Sequence, residues 1–150
     1  MNSALKEIYL ASDHAGMTLK AVIIDHLRDI GMMPHDLGYN GDGKADYPDY
    51  AETLAQNMKS VPDSAGVLVC GSGIGISIAA NRFPWIRAAL CHDVTTAKLA
   101  RQHNNANVIA IGERLIGETT ALAAIDVFLN TEFEAGRHSG RVDKLSALKG

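Results

Sequence analysis

Short apolar runs alternate along the chain with longer stretches in which apolar residues recur every three or four positions. Glu7 to Ser12 reads as a strand. Met17 to Ile30 reads as a helix, because Leu19, Val22, Ile23, Leu27 and Ile30 fall on one stripe. Gly31 stops it. Met32 to Leu37 is a weak second strand, and Gly38 to Tyr47 a polar loop with three glycines. Pro48 stands where a first helical turn accepts it, which predicts a helix to about Lys59. Gly66 to Cys70 is a strand, Gly75 to Asn81 a short helix, and Ile86 to Cys91 another strand. Asp93 is placed to cap a helix running to about Gln102. Val108 to Ile111 is the last strand, and Gly117 to Leu129 an alanine-rich helix. The remainder, Asn130 to Gly150, is more polar and carries Arg137, His138 and Arg141.

Five strands alternating with helices predict an α/β fold: a doubly wound, five-stranded parallel sheet between two helical layers. The expected strand order is 2-1-3-4-5. Such sheets bind ligands beyond the carboxyl ends of their strands, where strand order reverses. In that order the first and third strands flank the reversal. They end in Ser12-Asp13-His14 and in Cys70-Gly71-Ser72-Gly73, so two polar clusters are expected to meet in one crevice. The length of 150 residues fits a single domain over 1–150.

Composition narrows the function classes. At 47% hydrophobic residues the chain can bury a sizeable core without disulfide staples. A net charge of -3 gives no reason to expect a nucleic-acid or acidic-membrane surface. Cys70 and Cys91 are too few for a secreted scaffold and lie in apolar, strand-like runs, which fits a reduced cytoplasmic setting. No apolar run approaches the roughly 20 residues of a membrane span. The first residues lack the basic-then-apolar order of a leader peptide.

The chemistry concentrates at Cys70. Gly71, Gly73 and Gly75 follow it on alternate positions, more glycine than a tight turn needs. Unhindered backbone N–H groups entering a helix make an anion or oxyanion site, and the same groups favour a thiolate. The loop is not a dinucleotide fingerprint, because Ile76 stands where the third glycine is required. Cys91 has no such loop and reads as core. His14, directly after the first strand, and His103, between a helix and the last strand, are the histidines placed for function. No histidine pair shows helical metal spacing with a carboxylate, so no metal or other cofactor is expected. Arg137 and Arg141 are four apart, share a helix face, and suit a phosphate. Arg114, just after the last strand, is expected to join them.

The segment from Cys70 to Asn81 resembles the signature of the ribose-5-phosphate isomerase type B family, which includes the galactose-6-phosphate isomerase subunits. The likeness continues in 12–16 (Ser-Asp-His-Ala-Gly), 46–51 (Asp-Tyr-Pro-Asp-Tyr-Ala), 101–104 (Arg-Gln-His-Asn), Gly136-Arg137-His138 and Arg141-Val142. This resemblance implies a metal-free aldose–ketose isomerase of a phosphorylated sugar. It implies Cys70 as base, His103 as the ring-opening acid–base, and Ser72 as a polarising group. Asp13 and Tyr47 match sugar-binding positions, as does Asn104 beside His103, with Gly71, Gly73 and Gly75 around the enediolate. His14, Arg114, Arg137 and Arg141 match the phosphate end. A homodimer with shared sites is implied, with tail 130–150 reaching the partner subunit. Asn105, His92 to Thr96 and Trp85 depart from the family pattern and leave four-, five- and six-carbon sugars open. A non-catalytic sugar-phosphate sensor and a cysteine hydrolase are the rival classes.

Overall fold

The computed structural model describes residues 7–41 and 43–149. The leader-like question at residues 1–6, Asp42 of the glycine-bearing loop and Gly150 of the tail lie outside the described residues. The strands are β1 (Glu7–Ser12), β2 (His35–Asp36), β3 (Ser64–Cys70), β4 (Ala88–Leu90) and β5 (Val108–Gly112). The helices are α1 (Met17–Asp29), α2 (Tyr47–Lys59), α3 (Ile74–Ala80), α4 (Val94–Asn104), α5 (Glu118–Asn130) and α6 (Ser139–Ala147). All strand pairs are parallel.

The strand order is β2-β1-β3-β5-β4, which corrects the expected 2-1-3-4-5 at its last two places. The physical reason lies in the strands themselves. β5, Val-Ile-Ala-Ile-Gly, is buried at every position and belongs inside the sheet. β4 has three residues, none of them buried, and makes an edge. The reversal between β1 and β3 is untouched, so the switch point stays where the sequence places it.

The exchanged order also redistributes the helices. Each crossover is right-handed, so a helix on a leftward step and one on a rightward step lie on opposite faces. α1, α4 and α5 therefore share one face, where Leu19, Ile23, Leu27, Ala97, Ala124 and Phe128 pack in one cluster. α2 and α3 cover the other, through Leu54, Ala55, Met58, Ile76 and Ala80. The second strand shrinks to His35–Asp36, because exposed polar residues leave little to bury there. The tail is not featureless: a 3₁₀ turn, Gly136–His138, leads into α6. Among the described residues no helix is long and apolar enough to cross a membrane.

Candidate active site

β3 is buried along all seven residues and delivers Cys70 to the carboxyl edge of the sheet. Gly73 then takes φ +75°, a left-handed conformation that favours glycine, and turns the chain into α3. A side chain at Gly73 would also strike the β5 backbone at Ile111, 2.8 Å away. The loop therefore lies flat on the end of β5.

Cys70 is 4% exposed, and its Sγ accepts a hydrogen bond from the Gly73 N–H at 3.1 Å. The sulfur is thus approached by a donor. The Ile74 N–H donates to Ser72 Oγ at 3.2 Å. Ser72 is then free to give its hydroxyl proton to a third group. These two bonds occupy the amides of Gly73 and Ile74. The amides of Gly71, Ser72 and Gly75 meet no acceptor among the described residues. They are the ones left for an anion.

Neighbouring elements complete this set. The Asp13 N–H donates to the Val69 carbonyl at 3.3 Å, so the two predicted clusters do meet. Asp13 is buried, and its Oδ1 caps the following turn by accepting from the Ala15 and Gly16 N–H groups at 2.9 and 3.1 Å. His14 is exposed, with Nδ1 3.0 Å from the Ala45 carbonyl oxygen. It steadies the loop that leads to Tyr47. The Tyr47 ring lies against Gly75 so closely that a Cβ there would be 2.6 Å from it. Arg114 is held by its own N–H, which donates to the Gly71 carbonyl at 3.0 Å, and its guanidinium lies over Gly71.

The remaining predicted residues are elsewhere. α4 starts at the carboxyl edge, runs back along the sheet for eleven residues, and so ends about 16 Å away at the amino edge. His103 and Asn104 occupy that end. The Asn107 N–H bonds the Arg87 carbonyl just before β4, which ties the segment to the strand starts. The tail docks on the same place: the Glu134 N–H donates to the Gln102 carbonyl, and the His138 ring stacks on His103. Arg137 and Arg141 are exposed beside it. Within one chain, therefore, Arg114 does not join Arg137 and Arg141, and His103 does not face Cys70. A groove of about 810 Å³ also lies at this amino edge, between Asn104, Arg87, Phe83 and Leu145, and not over Cys70.

Several further residues, to which the sequence assigned no role in the site, shape the two sets. His92 Nε2 accepts from the Gly112 N–H at 3.1 Å, beside the glycine loop. The Glu113 carboxylate accepts from the Leu19 N–H and pins the turn carrying Arg114 to α1. Arg101, 4% exposed, donates to the carbonyls of Thr131 and Ala106 and to Asn105 Oδ1. Burial lowers its pKa from the ordinary arginine value, and the Arg87 charge adds to this. Asn105 adopts φ 46°, which Asn and Asp tolerate, so this departure from the family pattern keeps the turn. An arginine in an apolar helical stripe was the one available signal.

His103, Glu134 and His138 place a ligand atom each within 4.8 Å of one another. Yet the two imidazoles are 4.4 Å apart and only 15° from parallel. Their in-plane lone pairs run side by side and do not converge on one ion. The set reads as a stacked pair with a carboxylate nearby.

A doubly wound sheet with free amides, a thiol and a guanidinium at its switch point defines a protein that handles a small anionic molecule. The model of the ribose/galactose isomerase family matches residues 8–145, and the chain belongs to that family. It is 47% identical over 143 residues to a probable ribose-5-phosphate isomerase B of Mycoplasma pneumoniae, covering 95% of this chain and 94% of that one. It is 40% identical to the ribose-5-phosphate isomerase B of Escherichia coli over 97% of each chain. Among solved structures, the Thermotoga maritima ribose 5-phosphate isomerase superposes with a TM-score of 0.92 at 44% identity, covering 95% of this chain and 98% of that one. The Mycoplasma genitalium ribose-5-phosphate isomerase B, solved with bound ribulose-5-phosphate, gives 0.90 at 42% identity over 94% of each chain.

Proposed function

We propose that this chain is a metal-independent isomerase that interconverts ribose 5-phosphate and ribulose 5-phosphate. It works as a homodimer in which each site combines one chain's carboxyl-edge set with the partner's amino-edge set. The observation that carries this reading is the Cys70 sulfur, hydrogen-bonded by the Gly73 N–H within a loop whose Gly71, Ser72 and Gly75 amides meet no acceptor among the described residues and whose Gly71 lies under the Arg114 guanidinium.

The reaction moves a proton between C1 and C2 through an anionic enediolate. Cys70 takes the proton from one carbon and returns it to the other. The free amides and the Ser72 hydroxyl stabilise the oxyanion; one such donor typically contributes about 3 kcal/mol. Asp13 and Tyr47 hold sugar hydroxyls. The aldose is mostly a closed ring and must open first, which is the task of the partner's His103 as acid–base. The partner's Asn104 stands beside it. His14 and Arg114, with the partner's Arg137 and the partner's Arg141, hold the phosphate and turn binding energy into position.

The dimer reading is supported by the opposite placement of the two sets and by exposed apolar side chains near the thiol. Ile74 and Ile78 lie on one face of α3, with Leu90 on the edge strand and Val94 opening α4. A two-fold interface would cover them and bring the partner's α4 end to the crevice. Both cysteines are free, and the reaction needs one of them so, which fits a reducing cytoplasm.

The test is a coupled assay with four-, five- and six-carbon aldose phosphates. Ribose 5-phosphate is expected to give the highest kcat/KM. A higher value for another chain length would move the substrate assignment; no turnover of any would end the isomerase reading.

A further inference from the structure

We propose that His138 is the positioning residue for His103, holding its imidazole by face-to-face stacking in the orientation it uses on the sugar ring. This rests on the ring-opening reading of His103. Three observations carry it. The rings are 4.4 Å apart and 15° from parallel, the geometry of a stacked pair. His138 is 6% exposed, whereas the rest of its turn is open to solvent. Its Nε2 is buried and meets no hydrogen-bond partner among the described residues, so the ring is not there to anchor the tail by hydrogen bonding.

An unpartnered buried nitrogen is costly, and a leucine would fill the same space without that cost. A flat ring is what the site uses. The charge arrangement agrees. Burial, then Arg137, His103 and Arg141, push the His138 imidazole down from 6.5, with Glu134 opposing. Two stacked imidazoles do not both hold a proton without repulsion. The downward push favours the uncharged form of His138 beside the ring that works on substrate.

The two reaction directions give a clean test. Ribose 5-phosphate is a closed ring, but ribulose 5-phosphate stays open, because its only oxygen able to close a five-membered ring carries the phosphate. A fault in ring opening therefore slows turnover of the aldose and spares the initial rate from the ketose, whose open aldehyde product leaves the site and closes in solution. His138→Ala is expected to lower kcat on ribose 5-phosphate roughly ten- to hundredfold with KM little changed, as for a misplaced catalytic group. Its rate on ribulose 5-phosphate should stay within about threefold of the unmodified protein. His138→Phe keeps the flat ring and should recover most of the aldose rate, whereas His138→Leu should not. Adding His138→Ala to His103→Ala should cost nothing further, because His138 acts only through His103. Upfield ring-current shifts of the His103 ring protons should persist in the Phe variant and vanish in the Ala variant.

Equal losses in both directions, or a Phe variant as poor as the Ala variant, would overturn the inference while leaving the His103 reading intact. An undiminished aldose rate in His103→Ala would remove the reading itself, and the inference with it. If His138→Ala does not fold, the Phe and Leu variants decide alone: equal aldose rates in the two overturn it.

Discussion

The carboxyl-edge set around Cys70 and the amino-edge set around His103 sit at opposite ends of the sheet and are made of different material. The carboxyl-edge set is backbone above all: amides of Gly71, Ser72 and Gly75, held flat on β5 and approached by one thiol. Its donors are fixed by strand ends and cannot swing away. The amino-edge set is long side chains on a helix end and a docked tail, with Arg137 and Arg141 exposed. Those side chains lose rotamer freedom only when something holds them. The contrast teaches a division of labour. A small charge that appears for a moment needs rigid donors already in place. A phosphate that is always charged can be met by flexible guanidiniums, and the geometry lets a neighbour supply them.

The largest expected effect separates the two sets by function. Cys70→Ala should lower kcat by at least the 10²–10⁴-fold typical of a lost general base, with sugar-phosphate affinity held within about tenfold. Turnover and calorimetric binding on one preparation check this. Near-normal turnover would show that the carboxyl edge holds no base at Cys70.

Arg137→Ala and Arg141→Ala should each raise KM for the sugar phosphate about 10- to 150-fold, the loss of one charge-assisted contact. Inorganic phosphate should compete with substrate in the unmodified protein and much less in the double variant. Solvated surface arginines would cost within about 0.5 kcal/mol. Unchanged KM and unchanged phosphate inhibition would leave the phosphate to His14 and Arg114 alone.

A subunit-mixing experiment tests whether the two sets meet between chains. Cys70→Ala and His103→Ala are each inactive on ribose 5-phosphate in this scheme. After mild unfolding and reassembly, about half the dimers are mixed, each with one intact site, so activity should return to roughly a quarter. No recovery, with mixed dimers seen by mass spectrometry, would break the comparison by placing both residues in one chain's site.

The smallest effect concerns the other cysteine near the carboxyl edge. Burial, reinforced by Asp93 and opposed by Thr96, pushes the Cys91 thiol up from 9.0 to about 11. The folded chain keeps that proton where the unfolded chain has lost it. Stability is therefore whole below pH 9 and declines as pH rises from 9 through 11, by at most about 3 kcal/mol. Denaturant midpoints of the unmodified protein and of Cys91→Ala, compared between pH 8 and 11, should show the steeper decline in the former. Parallel curves would reject the assignment.

The carboxyl-edge set was legible in the chain because its parts are local. An apolar run, a thiol and alternate glycines stand within nine positions, and local turn chemistry does the rest. The cap at Asp93 was legible for the same reason: its carboxylate accepts from the Thr96 N–H at 2.7 Å. The exchange of β4 and β5 was not, since both read as short apolar runs and only pairing reveals which is buried on both sides. Arg101 and His138 were hidden too. Arg101 shares a helical stripe with Val94 and Ala97, and His138 looks like a polar residue in a polar tail; each becomes buried only when tail and α4 pack together.

By itself the amino-acid sequence determined the α/β alternation, the crevice at the ends of β1 and β3, and the chemical inventory of thiol, glycine loop, histidines and arginines. Those follow from interactions within a few residues, where spacing alone sets geometry. Only the tertiary structure decided that His103, Asn104, Arg137 and Arg141 lie at the far edge from Cys70. That depends on the direction in which α4 runs back along the sheet and on where the tail docks. Both are settled by which apolar surfaces bury one another across the whole chain, and no local spacing records them.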